Sequence, residues 1–179
     1  MSLDPRLTAL FDDLEQQAAG LELTERDRGV AEQQRAEYAT VDLVGRLHGS
    51  VGTDLALVVA PVGLLYGRLR RVGSGWLLLE AGRLDWLVRT ASVSSVRDLS
   101  DRAVPTEARS VTARLGLGSA LRQLAASGRV TVVELVDRRS LHGRLRRVGA
   151  DFVEVLVTGD PPALEVVPFS ALAAVRVAT

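Results

Sequence analysis

Apolar residues recur in this chain with two different periods, a helical one near the N-terminus and a period of two through most of the remainder. The helical spacing predicts an amphipathic helix that begins after Asp4 and ends near Gly20, and a second, weaker helical stripe continues to about Gly49. From about Thr53 apolar and polar side chains alternate, which indicates β-strands with one buried face. The chain is therefore expected to be mainly β, with α-helices at its N-terminus.

The heptapeptide Gly-Arg-Leu-Arg-Arg-Val-Gly occurs twice, at residues 67–73 and again at 143–149. Short alternating segments, separated by turns that contain glycine or proline, surround both copies. They predict five strands within residues 53–97 and five more within 131–176. Since the flanks agree as well as the heptapeptide, we interpret the chain as one strand-rich module that has been duplicated.

Five short strands in each module favour a small barrel, because closure removes the unpaired edges that an open sheet exposes. We therefore expect two small five-stranded barrels of the SH3-like kind in tandem, each preceded by a helix. The expected division is a helical N-terminal extension at 1–40, a first barrel at 41–99, a linker at 100–117 and a second barrel at 118–179.

Charge changes this picture only locally, since 22 acidic and 22 basic residues cancel over the whole chain. Residues 1–40 contain nine acidic residues and four arginines, so the two modules are mildly basic. This balance argues against binding to nucleic acid or to an anionic membrane by bulk charge alone. Lysine is absent, and a bias toward arginine is typical of GC-rich coding sequences.

Residue types that carry enzyme chemistry are scarce in this sequence. It contains no cysteine, which excludes a disulfide framework, a thiolate nucleophile and a cysteine zinc site. The two histidines, His48 and His142, fall in different modules, so no metal site and no Ser-His-Asp arrangement is expected. We expect a protein that is not an enzyme and has no cofactor and no evident small-molecule substrate. The lack of a long apolar segment predicts a cytoplasmic protein without a membrane partner.

Both modules resemble the Sm and Sm-like family, in which a bent strand carries Gly-x-Leu and the closing strand ends in a hydrophobic residue followed by arginine. The family pattern covers roughly residues 41–98 and 118–177. The matching residues of the two copies are Gly67, Leu69, Val72–Gly73 and Trp76–Leu77, and then Gly143, Leu145, Val148–Gly149 and Phe152–Val153. The resemblance implies a tandem Sm-like protein, similar to small actinobacterial proteins of this layout.

The polar positions of the family pattern are not kept. Members that bind RNA use an aspartate and an asparagine to position a base, and an arginine of the closing strand stacks on it. The aspartate is replaced by glycine and the asparagine by an apolar residue in both copies, at Gly73, Leu77, Gly149 and Val153. Only the closing arginines, Arg97 and Arg176, remain. The resemblance therefore implies the fold without the usual base pocket.

The strongest candidates for a surface site are the arginines of the two heptapeptides. Alternation places four of them opposite the core leucines, on the outer face of the strand, at Arg68, Arg70, Arg144 and Arg146, and Arg71 and Arg147 close the strand. Such guanidinium groups can hold phosphates or an acidic partner surface through paired hydrogen bonds. The structural interpretation, which we favour, is that they are solvated or paired with Glu80, Glu134 and Glu154.

The apolar face of the N-terminal helix also has two interpretations. It either covers an open side of the first barrel or docks a partner chain through Leu7, Leu10, Phe11 and Leu14. We expect a non-enzymatic interaction or regulatory module that acts through its barrel surfaces and N-terminal helices, with a protein partner or a second copy of itself. The alternative is an RNA-binding protein that contacts phosphates through the repeated arginines together with Arg97 and Arg176.

Overall fold

The structure is a computed structural model that describes residues 32–33 and 35–178. Residues 32–33 and 35–39 are helical. The predicted partner-binding face of the N-terminal helix lies outside the described residues, since it consists of Leu7, Leu10, Phe11 and Leu14. The chain divides into two compact units, Met1–Val41 and Asp42–Thr179, and the second unit contains all the elements named below.

The second helical stripe of the sequence is interrupted in the structure. A turn at Thr40 ends the helical residues 35–39, and a new helix, α1, spans Leu43–Gly49. Its N-cap is Asp42, whose carboxylate accepts a hydrogen bond of 2.6 Å from the backbone N–H of Gly45. This bond satisfies one of the N–H groups that the first helical turn leaves unpaired, so the cap fixes where α1 begins.

Ten strands account for about half of the second unit. Those that follow α1 are β1 (Asp54–Val59), β2 (Gly63–Gly73), β3 (Trp76–Ala81), β4 (Leu84–Arg89) and β5 (Val93–Arg97). A second helix, α2 (Leu117–Ala126), precedes β6 (Thr131–Leu135), β7 (Ser140–Val148), β8 (Phe152–Val157), β9 (Ala163–Pro168) and β10 (Leu172–Ala178). The strands lie close to the positions that alternation predicts. Short 3-10 turns occur at Thr106–Ala108 and Val111–Arg114 in the segment between β5 and α2.

The ten strands form one open antiparallel sheet in the order β5-β1-β2-β3-β4-β10-β6-β7-β8-β9. The prediction of two small five-stranded barrels, each preceded by a helix, is therefore wrong. Strand β4 pairs with β10, from Val88 opposite Ala174 to Leu84 opposite Ala178, and this pairing joins the two halves. Alternation predicts which face of a strand is buried, but the choice of partner strand depends on long-range contacts that a local pattern does not contain.

Two buried clusters lie on the sheet, and each takes residues from both halves. The first contains Leu47 of α1 and the inward residues of the first half, together with Ala174 of β10. The second contains Leu121 of α2 and the inward residues of the second half, together with Trp76 and Leu87. The junction between β4 and β10 is therefore held by apolar packing as well as by backbone hydrogen bonds.

The glycines of the repeated heptapeptide are required by close contacts. In the first copy, a Cβ atom at Gly67 would overlap the backbone carbonyl of Glu80 on β3, and one at Gly73 would enter the indole ring of Trp76. The second copy repeats both contacts at its own two glycines, where Phe152 takes the place of the indole. Each copy of the motif therefore needs glycine at both ends so that β3 or β8 can lie against it.

The segment predicted as a linker, residues 100–117, packs against the first half of the sheet. The backbone N–H of Val104 donates to the carbonyl of Gly45 at 3.0 Å, and Ala113 is buried. The indole Nε1 of Trp76 donates to the carbonyl of Leu115 at 2.8 Å. These contacts fix the path of the segment from β5 to α2, and they place its side chains beside β2.

Candidate functional sites

The arginines of the first heptapeptide lie on the outer face of β2. The Nε of Arg68 lies 3.2 Å from the carboxylate of Asp54, and that of Arg70 lies 3.2 Å from the carboxylate of Glu80. Both pairs are about half exposed, so water screens them and each adds little to stability. Arg71 is exposed and makes no ion pair or hydrogen bond within the described part of the chain.

The second heptapeptide differs in one ion pair. The Nε and Nη2 atoms of Arg147 donate to the two carboxylate oxygens of Glu154 at 2.8 and 2.9 Å. These hydrogen bonds outweigh the effect of burial and hold the pKa of Glu154 below its ordinary value. Arg144 and Arg146 are exposed and form no ion pair with the residues that the structure describes. Glu80 is therefore paired with Arg70 and Glu154 with Arg147, whereas Glu134, the third carboxylate that the structural interpretation names, lies 3.1 Å from Arg176 instead.

A single residue accounts for the difference between Arg71 and Arg147. Leu78 lies opposite Arg71 in the pairing of β2 with β3. It is the second residue after Trp76, as Glu154 is the second residue after Phe152. Because a leucine side chain offers no hydrogen-bond acceptor, the first copy leaves a charge unpaired where the second copy neutralises it.

The two closing arginines lie in different surroundings. The guanidinium of Arg176, on β10, lies 5.8 Å from the ring centroid of Trp86, and its Nε lies 3.1 Å from the carboxylate of Glu134. Arg176 is thus part of the junction between the two halves, since Trp86 belongs to β4. Arg97 is exposed at the end of β5, where it lies opposite Ala56 of β1. The two arginines therefore do not form one site.

The two ends of the sheet are the strands β5 and β9. Within the described residues, each pairs with a neighbour on one side only. Strand β9 exposes two large apolar side chains, Leu164 at 53% and Val166 at 59%. Strand β5 exposes Ser94, Ser95 and Arg97, and its backbone is available for further pairing. Unpaired strand edges of this kind are sites where another strand can add to the sheet.

A cleft of about 470 Å³ lies where the end of α1, strand β2, helix α2 and the segment before α2 meet. Its cationic and titratable groups come from three elements: His48, Arg70, Arg71 and Arg109. Apolar residues such as Trp76 form part of the wall, and none of the lining residues is acidic. The first copy of the heptapeptide contributes to this cleft and the second copy does not.

Arg109 is fixed in the cleft wall by two neighbouring groups. Its Nη2 donates to Oδ1 of Asp42 at 2.7 Å, and its Nε donates to the carbonyl of Val104 at 3.2 Å. Burial by itself would raise the pKa of the Asp42 carboxyl, but hydrogen bonds from Gly45 and Arg109 outweigh burial and hold that pKa below its ordinary value. Burial, followed by the charge of Arg109, lowers the pKa of His48. The imidazole is therefore neutral near neutral pH.

Arg109 and His48 were not identified as site residues from the sequence. The segment that contains Arg109 has the composition of a linker, and its distance along the chain from His48 gives no periodic signal that joins them. The only local signal is Asp42, which has the residue type of an N-cap. Its second partner, Arg109, cannot be identified without the fold.

No group of three or more histidine, aspartate and glutamate side chains suited to a metal ion occurs among the described residues. In the same part of the chain, no helix has the length and apolar character needed to cross a bilayer.

Comparison with protein-family models and with curated proteins gives no match for this sequence, and the resemblance to the Sm-like family stays a prediction.

Proposed function

We propose that the protein is a cytoplasmic, non-enzymatic interaction module that assembles through the two free edges of its sheet. In this assembly β5 of one copy pairs with β9 of the next. The observation that carries the proposal is the internal pairing of β4 with β10. These are the fourth strand of the first half and the fifth strand of the second half, and β9 and β5 are their counterparts in the other half. The chain therefore contains one such junction, and its two free edges are the strands that would form a second junction between copies.

The internal junction supplies the register for the proposed pairing. Val175 lies opposite Leu87, and Arg176 lies opposite Trp86. The residue of β5 that corresponds to Val175 is Val96, because Val96 pairs with β1 as Val175 pairs with β6. Transferring the register places Val96 opposite Val166 and Arg97 opposite Glu165. An apolar pair next to a pair of opposite charges is favourable across two antiparallel strands.

Burial of apolar surface supports the same pairing. Leu87 is only 5% exposed, because the second half of the chain packs on it. Val166, which holds the same place in β9, is 59% exposed. An added β5 edge would cover Val166 and contribute roughly 25 cal/mol for each Å² of apolar surface removed from water. The contact joins two different edges, so successive copies form either a closed ring or an open filament.

Light scattering coupled to size-exclusion chromatography tests the assembly. We expect a mass that is a multiple of the 19.2 kDa chain and that rises with protein concentration. Arg97→Glu and Glu165→Arg should each shift the protein toward the monomer, because each places like charges opposite one another. The double variant should restore the larger species, because it re-creates the pair with the charges exchanged.

Arg144→Glu is the matched control, since Arg144 is also exposed and unpaired in the described chain but lies on the inner strand β7. It should leave the mass unchanged. A monomer at high concentration in the unaltered protein removes the proposal. Charge reversals at Arg97 and Glu165 that act no more strongly than the Arg144 control remove it as well.

RNA binding through phosphates is the second candidate function. It is favoured by one observation, that Arg144 and Arg146 are exposed on β7 without an ion pair in the described residues. Contacts to several phosphates would make RNA affinity fall steeply with salt concentration, and charge reversal of these two arginines would reduce that slope. A titration that shows no salt dependence and no effect of the reversals would contradict it.

A further inference from the structure

The cleft beside the first heptapeptide is independent of the sheet edges, and its chemistry points to a ligand. It combines three guanidinium groups, from Arg70, Arg71 and Arg109, with an apolar wall that includes Trp76 and Leu115. We propose that this cleft binds a nucleotide-sized organic phosphate, with its phosphates on Arg71 and Arg109 and its apolar part against that wall. A volume of about 470 Å³ lies within the usual range for a small-molecule site.

The charge of Arg71 is available to such a ligand. Its counterpart in the second half, Arg147, is neutralised by two hydrogen bonds to Glu154, whereas Arg71 faces Leu78. Arg70 contributes less, since it is paired with Glu80, which does not line the cleft. Arg71 is therefore the uncompensated cation of the site, and an anion is the partner that would compensate it.

Arg109 adds a cation that is already held in place. Its side chain is 13% exposed, and its Nε and Nη2 are occupied by Val104 and Asp42. The remaining nitrogen, Nη1, makes no hydrogen bond within the described part of the chain. A guanidinium fixed by two of its nitrogens loses little conformational entropy when the third binds a phosphate oxygen.

Other groups of the cleft suit the same ligand. The hydroxyls of Ser110 and Thr112 lie 2.8 Å apart at the wall, and either can also donate to a phosphate oxygen. The indole of Trp76 is held by its Nε1 hydrogen bond to the carbonyl of Leu115. Polar donors on one side and a fixed apolar surface on the other distinguish this cleft from a solvated arginine surface, which lacks the apolar wall.

A fluorescent ribose-labelled ATP is a suitable probe, with its binding followed by anisotropy near physiological salt. We expect binding by the unaltered protein, and we expect tripolyphosphate to displace the probe while adenosine does so poorly. Arg71→Gln should weaken binding by about tenfold, the usual loss for a hydrogen bond to a charged group. Leu78→Glu should weaken it similarly, because it supplies the carboxylate that the second copy has at Glu154.

Arg147→Gln is the matched control, since it changes the same residue of the same heptapeptide outside the cleft. It should leave probe affinity within about twofold of the unaltered value. Absence of probe binding overturns the proposal, and so does an Arg71→Gln protein that binds as well as the unaltered one. A single-stranded RNA that binds in place of the probe, and loses affinity equally in the Arg71 and Arg147 variants, also overturns it in favour of surface phosphate contacts.

Discussion

The two copies of Gly-Arg-Leu-Arg-Arg-Val-Gly are identical in sequence and in their glycine contacts, but their last arginines lie in different surroundings. In the first copy, Arg71 is unpaired in the described chain and borders a cleft. In the second, Arg147 is bound at two nitrogens by Glu154. The difference arises because one position on the neighbouring strand is Leu78 in one half and glutamate in the other. Identity of a motif therefore does not imply identity of its charge, since the paired strand decides whether an arginine is free to bind.

The aromatic residue that follows each copy also differs in burial between the two halves. Trp76 is 7% exposed and belongs to the buried cluster of the second half. Phe152 occupies the same position but is only half-buried. Trp76 lies at the junction between halves, whereas the half that contains Phe152 ends in the free strand β9. The comparison indicates that the first half is completed by the second, and that the second has no equivalent neighbour in the described chain.

Truncation of the two aromatic residues should give the largest contrast. Trp76→Ala should lower the free energy of unfolding by about 3–5 kcal/mol, because it removes a large buried side chain that joins both halves. Phe152→Ala should cost roughly 2 kcal/mol, because its ring is already partly in water. Urea denaturation followed by circular dichroism measures both. Equal losses for the two variants would contradict the asymmetry of the halves.

Alanine at the last glycine of each copy should give the next largest contrast. Gly73→Ala drives a methyl group into the fixed indole of Trp76 and should cost about 2–3 kcal/mol. Gly149→Ala meets Phe152 instead, whose partly exposed ring can move aside, and it should cost about 1 kcal/mol. The same denaturation measurement applies, with Gly116→Ala as the comparison for an added methyl group without a clash, because Gly116 has a negative φ and a Cβ there meets no atom. A larger loss at Gly149 than at Gly73 would refute this account.

The sequence was sufficient to predict the strands but not their assembly. Alternation along β2 predicts that Leu69 is inside and Arg70 outside, because the period of a strand is a local property. It does not predict that Leu87 belongs to the buried cluster of the other half, since that depends on β4 meeting β10. The prediction of closed barrels was wrong because each half satisfies an edge by pairing with the other half, which is an alternative to closure.

Some residues of the candidate site could be predicted from local patterns, and others depend on long-range contacts. Alternation alone places Arg68, Arg70, Arg144 and Arg146 on an outer face. It does not place Arg71 and Arg147, which directly follow outward arginines and are exposed where the strand pairing shifts register. That Arg71 would be unpaired could have been inferred only by aligning the two halves as far as Leu78. The part played by Arg109 could not be predicted, because the segment that carries it has no periodicity and is placed by contacts with Asp42 and Val104.

Removing the charge of Asp42 should lower the stability of the first half near neutral pH but not in acid. The pKa of Asp42 is below its ordinary value in the folded protein, so its contribution to stability is present above the unfolded-state pKa of about 4 and is lost as pH falls through the lower folded value. Asp42→Asn keeps an N-cap acceptor but leaves the largely buried Arg109 without a counter-ion. The loss should be smaller than for Gly73→Ala near neutral pH and should shrink as the pH falls below the unfolded-state value. Denaturation midpoints at several pH values test this, and a loss that stays constant into acid would contradict it.

Glu154→Gln should have a smaller effect than Asp42→Asn, and it tests the second half of the sheet. The pKa of Glu154 is also lowered, first by its hydrogen bonds from Arg147, so the sign is the same: stability is present above the unfolded-state value near 4.3 and is lost below it. Arg147 is 79% exposed and stays hydrated without its partner, whereas Arg109 is 13% exposed, so the loss should be smaller than for Asp42→Asn even though the Glu154 side chain is only 12% exposed. Glu80→Gln is the control in the first half, and because both partners there are about half exposed it should lower the free energy of unfolding at neutral pH less than Glu154→Gln does. If Glu80→Gln lowers the free energy of unfolding as much as Glu154→Gln does, the two copies are electrostatically equivalent and the contrast between Arg71 and Arg147 loses its basis.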